Sequence, residues 1–421
     1  MDFDMLGLSP KMTARLAEIG LKDPTPIQKQ AIPHAMNGRD VMGLAQTGTG
    51  KTAAFGLPLV HALSAEGTKP EPRSVRGLIL APTRELANQI AESLRNFAGG
   101  THLSIAVVVG GVSINRQIGR LERGTDLLVA TPGRLIDLIE RKAVRLSDTR
   151  FLVLDEADQM LDMGFIHALR QIAPLLRPER QTMLFSATMP KLMSEIADKY
   201  LTNPVRIEVA RPGQAADKVE QEVHFVSKEG KQDLLVECLS RHKDERALVF
   251  GRTKHGSERL MKQLDRAGFA TASIHGNKSQ GQRDRAIQGF KDGTIKVLVA
   301  TDVAARGIDI PGVEYVYNYE LPNVAENYVH RIGRTARAGR DGQAVAFCAP
   351  DEMSYLRDIE KVLKTKVTVA SGAPWAEDTP PPKQGGRGGK PGGGGGRGGP
   401  AKAKSGRPRR RSKPGGNRRA A

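Results

Sequence analysis

The chain has 421 residues, 39% of them apolar, with two cysteines and a formal net charge of +18 at pH 7. This length predicts two to three domains, each with its own core. Two distant cysteines, Cys238 and Cys348, exclude a disulfide framework and indicate a reducing compartment. The N-terminus lacks a basic segment followed by an apolar one, and no run approaches the roughly 18 apolar residues of a membrane span. We therefore expect a cytoplasmic protein without a membrane segment.

The positive charge is concentrated near the C-terminal end. Residues 371–421 carry 13 Lys and Arg but only 2 acids, which is +11 of the +18. Prolines at 380–382 and five glycines at 392–396 argue against a packed core, so this segment should be a disordered basic tail. A flexible polycation favours a polyanionic partner, and a merely solubilising tail is the alternative.

The first predicted element is a helix that begins with Ser9 as its N-cap and Pro10 in its first turn, and ends at Gly20. After it, short β-branched runs alternate with amphipathic stretches and predict two series of strands. The predicted strands are 41–44, 77–80, 105–109, 127–129, 151–154, 182–185, then 222–226, 247–250, 272–274, 296–299, 315–317 and 344–347.

Strands that alternate with helices predict an α/β fold, in which helices cover both faces of a parallel sheet. The two series predict two such domains in tandem, joined by a short linker with a Pro-Gly turn signal. The expected organisation is a first domain at 1–210, a linker at 211–217, a second domain at 218–370 and the tail at 371–421.

Residues 45–52, Ala-Gln-Thr-Gly-Thr-Gly-Lys-Thr, predict a phosphate-binding loop between a strand and a helix. Gly48 and Gly50 let backbone N–H groups approach phosphate closely. Lys51 is placed to contact the β- and γ-phosphates, and the hydroxyl of Thr52 can coordinate magnesium at the N-terminus of the helix.

Asp155 and Glu156 follow a predicted buried strand, at the end of the sheet where ligands bind in α/β proteins. Asp155 would hold magnesium, directly or through water, and Glu156 would orient and deprotonate the attacking water. Asp158 is an expected acceptor for the hydroxyls of Ser186 and Thr188, with a helix N-cap as the alternative. A phosphate loop combined with these acids predicts a nucleoside triphosphatase.

The second half of the chain supplies a dense arginine cluster at residues 330–340. Arg334 and Arg337 are three residues apart, so we expect them on one helical face. If both contact phosphates, the active site is complete only when the domains close, and closure is coupled to ATP. A basic surface stretch is the alternative.

In these features the chain resembles the DEAD-box RNA helicases, a superfamily 2 family with two RecA-like domains, from Phe3 to about Val369. Residues 20–28, with Phe3 upstream, resemble the Q motif. The resemblance implies that Gln28 hydrogen-bonds adenine and that Phe3 packs beside the base. Residues 279–281 and the basic tail favour the bacterial RhlE-like subgroup.

The resemblance implies roles for a larger set of residues. Those for ATP are Phe3, Lys22, Thr25, Gln28, Gln46, Thr47, Gly48, Thr49, Gly50, Lys51, Thr52, Gly307, Asp309, Arg334 and Arg337. The catalytic residues are Lys51, Asp155, Glu156, Arg334 and Arg337, with magnesium at Thr52 and Asp155. The RNA-binding residues are Thr83, Arg84, Gly111, Thr131, Arg134, Arg252, Gln280, Arg283 and Thr301. Those coupling the domains are Asp158, Ser186, Thr188 and His330.

One departure is Ala336, which stands where the family usually has Gly. We expect a helix to accommodate the extra methyl group there.

The predicted function is that of an ATP-dependent RNA helicase, with ATP and Mg²⁺ as cofactors, that separates RNA strands locally or remodels RNA–protein complexes. ATP and RNA together would close the domains, with contacts largely to phosphates and sugars and so without sequence preference. Ribosome-assembly or RNA-decay proteins are candidate partners. A monomer is expected, with self-association through the tail as an alternative. The two competing interpretations are a slow-turnover, ATP-gated RNA clamp or scaffold and a DNA helicase.

Overall fold

The structure, a computed structural model, describes residues 2–45, 48–189, 191–209, 219–305, 313–336 and 342–375. Within these ranges, no helix combines the length and apolar character needed to cross a membrane. The predicted linker and all of the predicted tail beyond Trp375 lie outside the described residues.

Fourteen strands and fifteen α-helices are assigned in the described ranges, with short 3₁₀ helices at Phe3–Leu6, Ala173–Leu175 and Pro350–Glu352. The strands are β1 (Val41–Leu44), β2 (Val75–Leu80), β3 (Ile105–Val108), β4 (Thr125–Ala130), β5 (Phe151–Leu154), β6 (Gln181–Ser186), β7 (Val205–Glu208), β8 (Val219–Phe225), β9 (Ala247–Gly251), β10 (Thr271–Ile274), β11 (Val297–Thr301), β12 (Tyr315–Asn318), β13 (Gly342–Cys348) and β14 (Thr368–Ser371). The helices are α1 (Pro10–Glu18), α2 (Pro26–Met36), α3 (Lys51–Glu66), α4 (Arg84–Phe97), α5 (Ile114–Leu121), α6 (Pro132–Glu140), α7 (Ala157–Asp162), α8 (Ile166–Ile172), α9 (Lys191–Tyr200), α10 (Lys231–Ser240), α11 (Lys254–Arg266), α12 (Gln280–Lys291), α13 (Asp302–Ala305), α14 (Ala325–Ile332) and α15 (Met353–Leu363).

The strands form two parallel seven-stranded sheets with the same internal order. The first sheet runs β3-β4-β2-β5-β6-β1-β7, and the second runs β10-β11-β9-β12-β13-β8-β14. Each strand of the first sheet therefore has an equivalent in the second: β1 matches β8, β2 matches β9, and β5 matches β12. The predicted α/β fold with two tandem parallel sheets is confirmed.

Alternating side chains of each central strand pack against helices on opposite faces of the sheet. In β5, Leu152 and Leu154 belong to one core cluster and Val153 to the other. The second sheet repeats this pattern, since Leu248 and Val249 of β9 pack on opposite faces. Burial on both faces explains why these strands read as continuous apolar runs in the sequence.

Two strands, β7 and β14, were missed by the sequence analysis. Each is a four-residue strand at one edge of its sheet; β7 exposes two of its four side chains and β14 exposes all four. Such strands lack the apolar run that identifies a buried one. The predicted start of the tail at residue 371 also falls within β14, and the indole Nε1 of Trp375 donates to the carbonyl oxygen of Cys348 at 3.1 Å. The ordered second domain therefore extends to Trp375.

Candidate active site and nucleic-acid interface

The phosphate-binding loop predicted from the sequence connects β1 to α3 at the carboxyl edge of the first sheet. Gly48 and Gly50 have φ angles of 86° and 90°, which favour glycine. A Cβ at Gly50 would lie 2.4 Å from Nε2 of Gln28, so a larger residue would displace the Gln28 amide. Gln46 and Thr47 lie outside the described residues, whereas Lys51 is the first residue of α3 and Thr52 the second.

Lys51 faces the acids that end β5. Its Nζ lies 3.8 Å from Oδ1 of Asp155, and both side chains are buried. Among the described residues, this Nζ has no hydrogen-bond partner. Burial raises the pKa of the Asp155 carboxyl to about 6, although the Lys51 ammonium and the backbone N–H of Glu156 favour its ionised form. A buried ammonium without an acceptor suits a phosphate, and the Asp155 and Thr52 oxygens suit Mg²⁺.

Glu156 adopts an unusual backbone conformation for a residue with a side chain. Its φ is 50° and its ψ is 51°, and the side chain is 2% exposed. A left-handed non-glycine residue costs on the order of 1 kcal/mol, and such residues cluster at functional sites. The turn that Glu156 makes between β5 and α7 places both acids at the carboxyl edge of the sheet.

Asp158 connects this edge to the end of β6. Its Oδ2 accepts hydrogen bonds from the backbone N–H of Ala187 at 3.1 Å, and from the backbone N–H and the hydroxyl of Thr188, both at 2.9 Å. The hydroxyl of Ser186 donates instead to the carbonyl oxygen of Thr188 at 2.6 Å. The expected contact to Asp158 therefore involves Thr188 but not Ser186. The N-cap alternative does not hold, because the N-cap of α7 is Glu156.

The Q-motif residues lie against the phosphate loop. The amide oxygen of Gln28 accepts from the backbone N–H of Thr25 at 2.9 Å, and its Nε2 donates to the carbonyl oxygen of Gly50 at 3.0 Å. These two bonds fix the orientation of the amide and leave a second N–H of Nε2 and a second lone pair of Oε1 for adenine. Phe3 is buried in the core, and Lys22 is exposed.

The predicted RNA-binding residues of the first domain lie after β2, β3 and β4. Thr83 caps α4, where its hydroxyl accepts from the backbone N–H of Leu86 at 3.2 Å. The Arg84 guanidinium packs against Gly111, where φ is 72° and a Cβ would lie 1.8 Å from Nη1 of Arg84. Thr131 caps α6, and Arg134 donates to the carbonyl oxygen of Val112 at 3.0 Å.

The second domain repeats this arrangement on the equivalent strands. Arg252 follows β9, Gln280 and Arg283 lie in the first turn of α12 after β10, and Thr301 ends β11. Thr253 caps α11 as Thr83 caps α4, with its hydroxyl accepting from the backbone N–H of Gly256 at 3.0 Å. Equivalent edges of the two sheets thus carry the two sets of predicted RNA-binding residues.

These two sets also contact each other. Nη1 of Arg84 donates to Oε1 of Gln280 at 3.2 Å, and Nε2 of Gln280 donates to Oε1 of Glu85 at 3.3 Å. The same Glu85 oxygen lies 3.0 Å from Nη2 of Arg283. Glu85 was not among the predicted site residues, and its only sequence signal was its place beside Arg84.

Two expectations about the arginine cluster are wrong. Helix α14, which carries His330, ends at Ile332, so Arg334 lies beyond it and the three-residue spacing to Arg337 does not define a helical face. Ala336 has a φ of 53°, a conformation that favours glycine, so its methyl group is not accommodated on a helix. Arg337, Gly307 and Asp309 lie outside the described residues, and Arg334 is buried.

The second domain has a lysine at the position of Lys51. Lys231 is the first residue of α10 after β8, the strand equivalent to β1. Its Nζ donates to the carbonyl oxygens of Tyr319 at 2.8 Å and Phe347 at 3.0 Å, and forms a buried ion pair with Glu352. Three protein acceptors surround this ammonium, so the lysine available to a phosphate is Lys51.

Comparison with known proteins identifies the family. Residues 25–196 match the DEAD/DEAH box helicase family, and residues 230–339 match the helicase conserved C-terminal domain. The ATP-dependent RNA helicase CshA of Listeria monocytogenes is 43% identical over 375 residues, which cover 89% of this chain and 71% of the relative. The DEAD-box ATP-dependent RNA helicase CshA of Bacillus cereus is 44% identical over 365 residues, which cover 87% and 69%. The chain belongs to the DEAD-box RNA helicase family.

Solved structures of DEAD-box proteins share this fold. S. cerevisiae Dbp5 bound to RNA and ADP BeF3 superimposes with a TM-score of 0.78 at 32% identity, covering 88% of this chain and 95% of that one. Mss116p bound to ssRNA and AMP-PNP gives 0.79 at 27% identity, covering 89% and 79%. The predicted family, enzyme class and RNA-helicase function are confirmed: the protein is an ATP-dependent RNA helicase and hence an RNA-stimulated ATPase.

Proposed function

We propose that this DEAD-box helicase hydrolyses ATP at the carboxyl edge of the first sheet and uses the reaction to release bound RNA. The observation that carries the proposal is the contrast between two equivalent lysines. Lys51 is buried without a hydrogen-bond partner among the described residues, whereas Lys231 has three acceptors. A buried ammonium without a hydrogen-bond acceptor stabilises a bound phosphate more than it stabilises the free protein.

We assign a role to each of the following residues. Lys51 and the backbone of Gly48 and Gly50 hold the phosphates. Glu156 orients the attacking water and accepts its proton. When bound at Asp155 and Thr52, Mg²⁺ supplies positive charge that offsets the charge of the phosphates.

The base would be bound by the Q motif, with Gln28 keeping its bond to Gly50 and using its second N–H and its amide oxygen toward adenine. Phe3 is buried in the core, so its effect on the base is through the packing of this segment. The remaining ATP contacts, with Lys22, Thr25, Gln46, Thr47 and Thr49, stay predictions.

The second half of the active site is assigned to Arg334 and Arg337, with Gly307 and Asp309 toward the ribose. Arg334 comes after Gly333, the C-cap residue of α14, so the turn at Gly333 determines its position. An arginine supplied by the second domain would make hydrolysis depend on domain closure. Asp158, Thr188 and His330 would transmit that closure, whereas Ser186 supports the Thr188 loop through its hydrogen bond.

RNA would bind along the edges that carry Arg84, Arg134, Arg252 and Arg283. Helix N-termini, backbone amides and guanidinium groups suit phosphates and sugars, so binding would not depend on sequence. The RNA-bound states of Dbp5 and Mss116p, which this chain resembles, support the assignment. Holding one strand in a shape that a duplex does not allow would separate strands locally.

The decisive experiment replaces the proposed base. Glu156→Gln should bind ATP and RNA but reduce RNA-stimulated phosphate release by at least about 100-fold, the lower range of a lost general base. Glu92→Gln, an exposed residue of α4, is the control. Multiple-turnover hydrolysis by Glu156→Gln at the unmodified rate would refute the role. Slow release by the unmodified protein even with RNA would favour the clamp, and equal stimulation by RNA and DNA would favour a DNA helicase.

Finer assignments remain proposals. The basic tail supports the RhlE-like subgroup, but the relatives reported above are named CshA, so this prediction is not confirmed. The tail from residue 376 would bind RNA without fixed geometry. We retain the predicted domains 1–210 and 218 onward, a monomeric state, a cytoplasmic location, and ribosome-assembly or RNA-decay partners.

A further inference from the structure

One carboxylate on α11, that of Glu258, contacts three residues of β10 and of the segment that leads into α12. Oε2 of Glu258 accepts hydrogen bonds from the hydroxyl of Ser273 at 2.7 Å, from Nε2 of His275 at 3.0 Å and from Nζ of Lys278 at 2.8 Å. Ser273 lies in β10, and the other two partners follow it. Glu258 thus adds a polar contact between α11 and the segment after β10, beside the hydrogen bond from the hydroxyl of Thr271 to the carbonyl oxygen of Met261 at 3.3 Å.

Two hydrogen bonds within the segment are made to His275, which itself donates to this carboxylate. Nδ1 of His275 accepts from the backbone N–H of Asn277 at 3.3 Å, and the carbonyl oxygen of His275 accepts from the backbone N–H of Lys278 at 3.0 Å. With Nδ1 acting as an acceptor, Nε2 carries the proton that is donated to Glu258. The hydrogen bonds from Lys278 and His275 lower the pKa of the Glu258 carboxyl to about 2, so it is ionised at neutral pH.

This segment positions the residues at the domain interface. Ser279 caps α12, with its hydroxyl accepting from the backbone N–H of Gln282 at 3.4 Å, and its own N–H donates to Oε1 of Gln282 at 2.9 Å. The next residue, Gln280, contacts Arg84 and Glu85 of the first domain. Lys278, a partner of Glu258, therefore lies two residues before Gln280, which makes the contact between the domains.

We infer that Glu258 is a positioning residue that sets the start of α12, so that Gln280 and Arg283 meet the first domain when RNA and ATP bind. We assign Glu258 no contact to RNA, because its carboxylate is taken up by Ser273, His275 and Lys278. This inference rests on the RNA interface proposed above, and extends it to a residue that touches neither nucleotide nor RNA.

The test uses Glu258→Gln in the full-length protein, which keeps the side-chain size and removes the charge. The first readout is hydrogen–deuterium exchange of residues 275–279 in the free protein, which should become faster. The matched control is Lys262→Gln, because Lys262 is exposed and its Nζ forms only a long ion pair, at 3.9 Å, with Oε1 of the same carboxylate. If Glu258→Gln does not fold, Lys278→Gln removes one of the same bonds. Unchanged exchange in 275–279 would overturn the inference.

The second readout is the ratio of RNA dissociation constants without and with a non-hydrolysable ATP analogue. This ratio isolates the domain coupling, because Lys278, once released, would change RNA affinity with or without nucleotide. We expect Glu258→Gln to reduce the ratio on the order of fivefold, the lower end of typical couplings between sites. Lys262→Gln should leave it unchanged.

A double-mutant cycle separates positioning from general stabilisation. If Glu258 acts through Gln280, adding Glu258→Gln to Gln280→Ala should change the ratio little further. Fully additive effects, or faster exchange with an unaltered ratio, would refute positioning. A ratio near one in the unmodified protein would instead contradict the proposed function, and hydrogen exchange would still decide whether Glu258 holds the segment.

Discussion

The two equivalent lysines provide a sharp test of the assignment, because the same substitution should have opposite consequences. Lys231→Met would leave Glu352 buried with its ammonium partner removed, and would deprive the carbonyl oxygens of Tyr319 and Phe347 of a donor. Glu352 would keep backbone N–H donors from Leu321 and Ala349 and an ion pair with Nη2 of Arg252 at 3.5 Å. Removing one partner of a buried ion pair costs about 3–5 kcal/mol when the remaining charge is uncompensated, so with Arg252 in place we expect the lower end of that range.

Lys51→Met should cost much less stability, about 1 kcal/mol. Its only described ion pair is at 3.8 Å, and Asp155, with a pKa of about 6, can take up a proton when the ammonium is lost. The same variant should abolish ATP hydrolysis, because Lys51 is the proposed phosphate ligand. We therefore expect Lys231→Met to lose mainly stability and Lys51→Met to lose mainly ATPase activity.

The chain offers a convenient probe for the second domain. Its single tryptophan, Trp375, hydrogen-bonds to Cys348 at the end of β13, so tryptophan fluorescence reports the unfolding of that domain. For a domain of this size, each kcal/mol of lost stability lowers the midpoint temperature of thermal unfolding by about 2–4 °C. Lys231→Met should therefore lower the midpoint followed by tryptophan fluorescence by roughly 10 °C. Calorimetry without nucleotide or RNA follows both domains.

Lys228→Met is the matched control, since Lys228 lies three residues earlier and forms an exposed ion pair with Asp351 at 2.8 Å. It should change stability by less than about 1 kcal/mol. The reasoning fails if Lys231→Met lowers the midpoint no more than Lys228→Met does. It also fails if Lys51→Met destabilises the first domain as strongly as Lys231→Met destabilises the second.

Two further predictions concern RNA binding. Gly111→Ala would place a methyl carbon 1.8 Å from Nη1 of Arg84 at a φ of 72°, so it should displace the guanidinium and weaken RNA binding. The control is Gly119→Ala, which has nothing within 4 Å of its Cβ, and equal RNA affinities of the two variants in a titration would contradict the prediction. Removing residues 376–421 should leave basal ATPase activity unchanged but lower RNA affinity at moderate salt. The slope of log RNA affinity against log salt concentration should become shallower by about 0.7 for each lost phosphate contact. A tail of equal length without Lys and Arg is the control, and an unchanged salt slope would exclude a role for the basic tail.

Much of the fold could be predicted from the sequence, because the signals are local. Central strands buried on both faces, such as β5, need unbroken apolar runs, and a phosphate loop needs glycines where φ is positive. The missed strands β7 and β14 lie at sheet edges, where pairing with one neighbour requires little apolar character. The family could likewise be identified from ordered motifs, each of which is a short stretch of chain.

The sequence by itself determined the two α/β domains, the phosphate loop, the acids after β5 and the family. Three facts came only from the folded chain: where the arginine-bearing helix ends, which of two equivalent lysines has no hydrogen-bond partner among the described residues, and that Ala336 has a positive φ. The tertiary structure also brought Glu85 to Arg283, and Glu258 to Lys278. These facts depend on contacts between distant segments and on backbone angles that the surrounding fold imposes, and neither residue type nor spacing contains them.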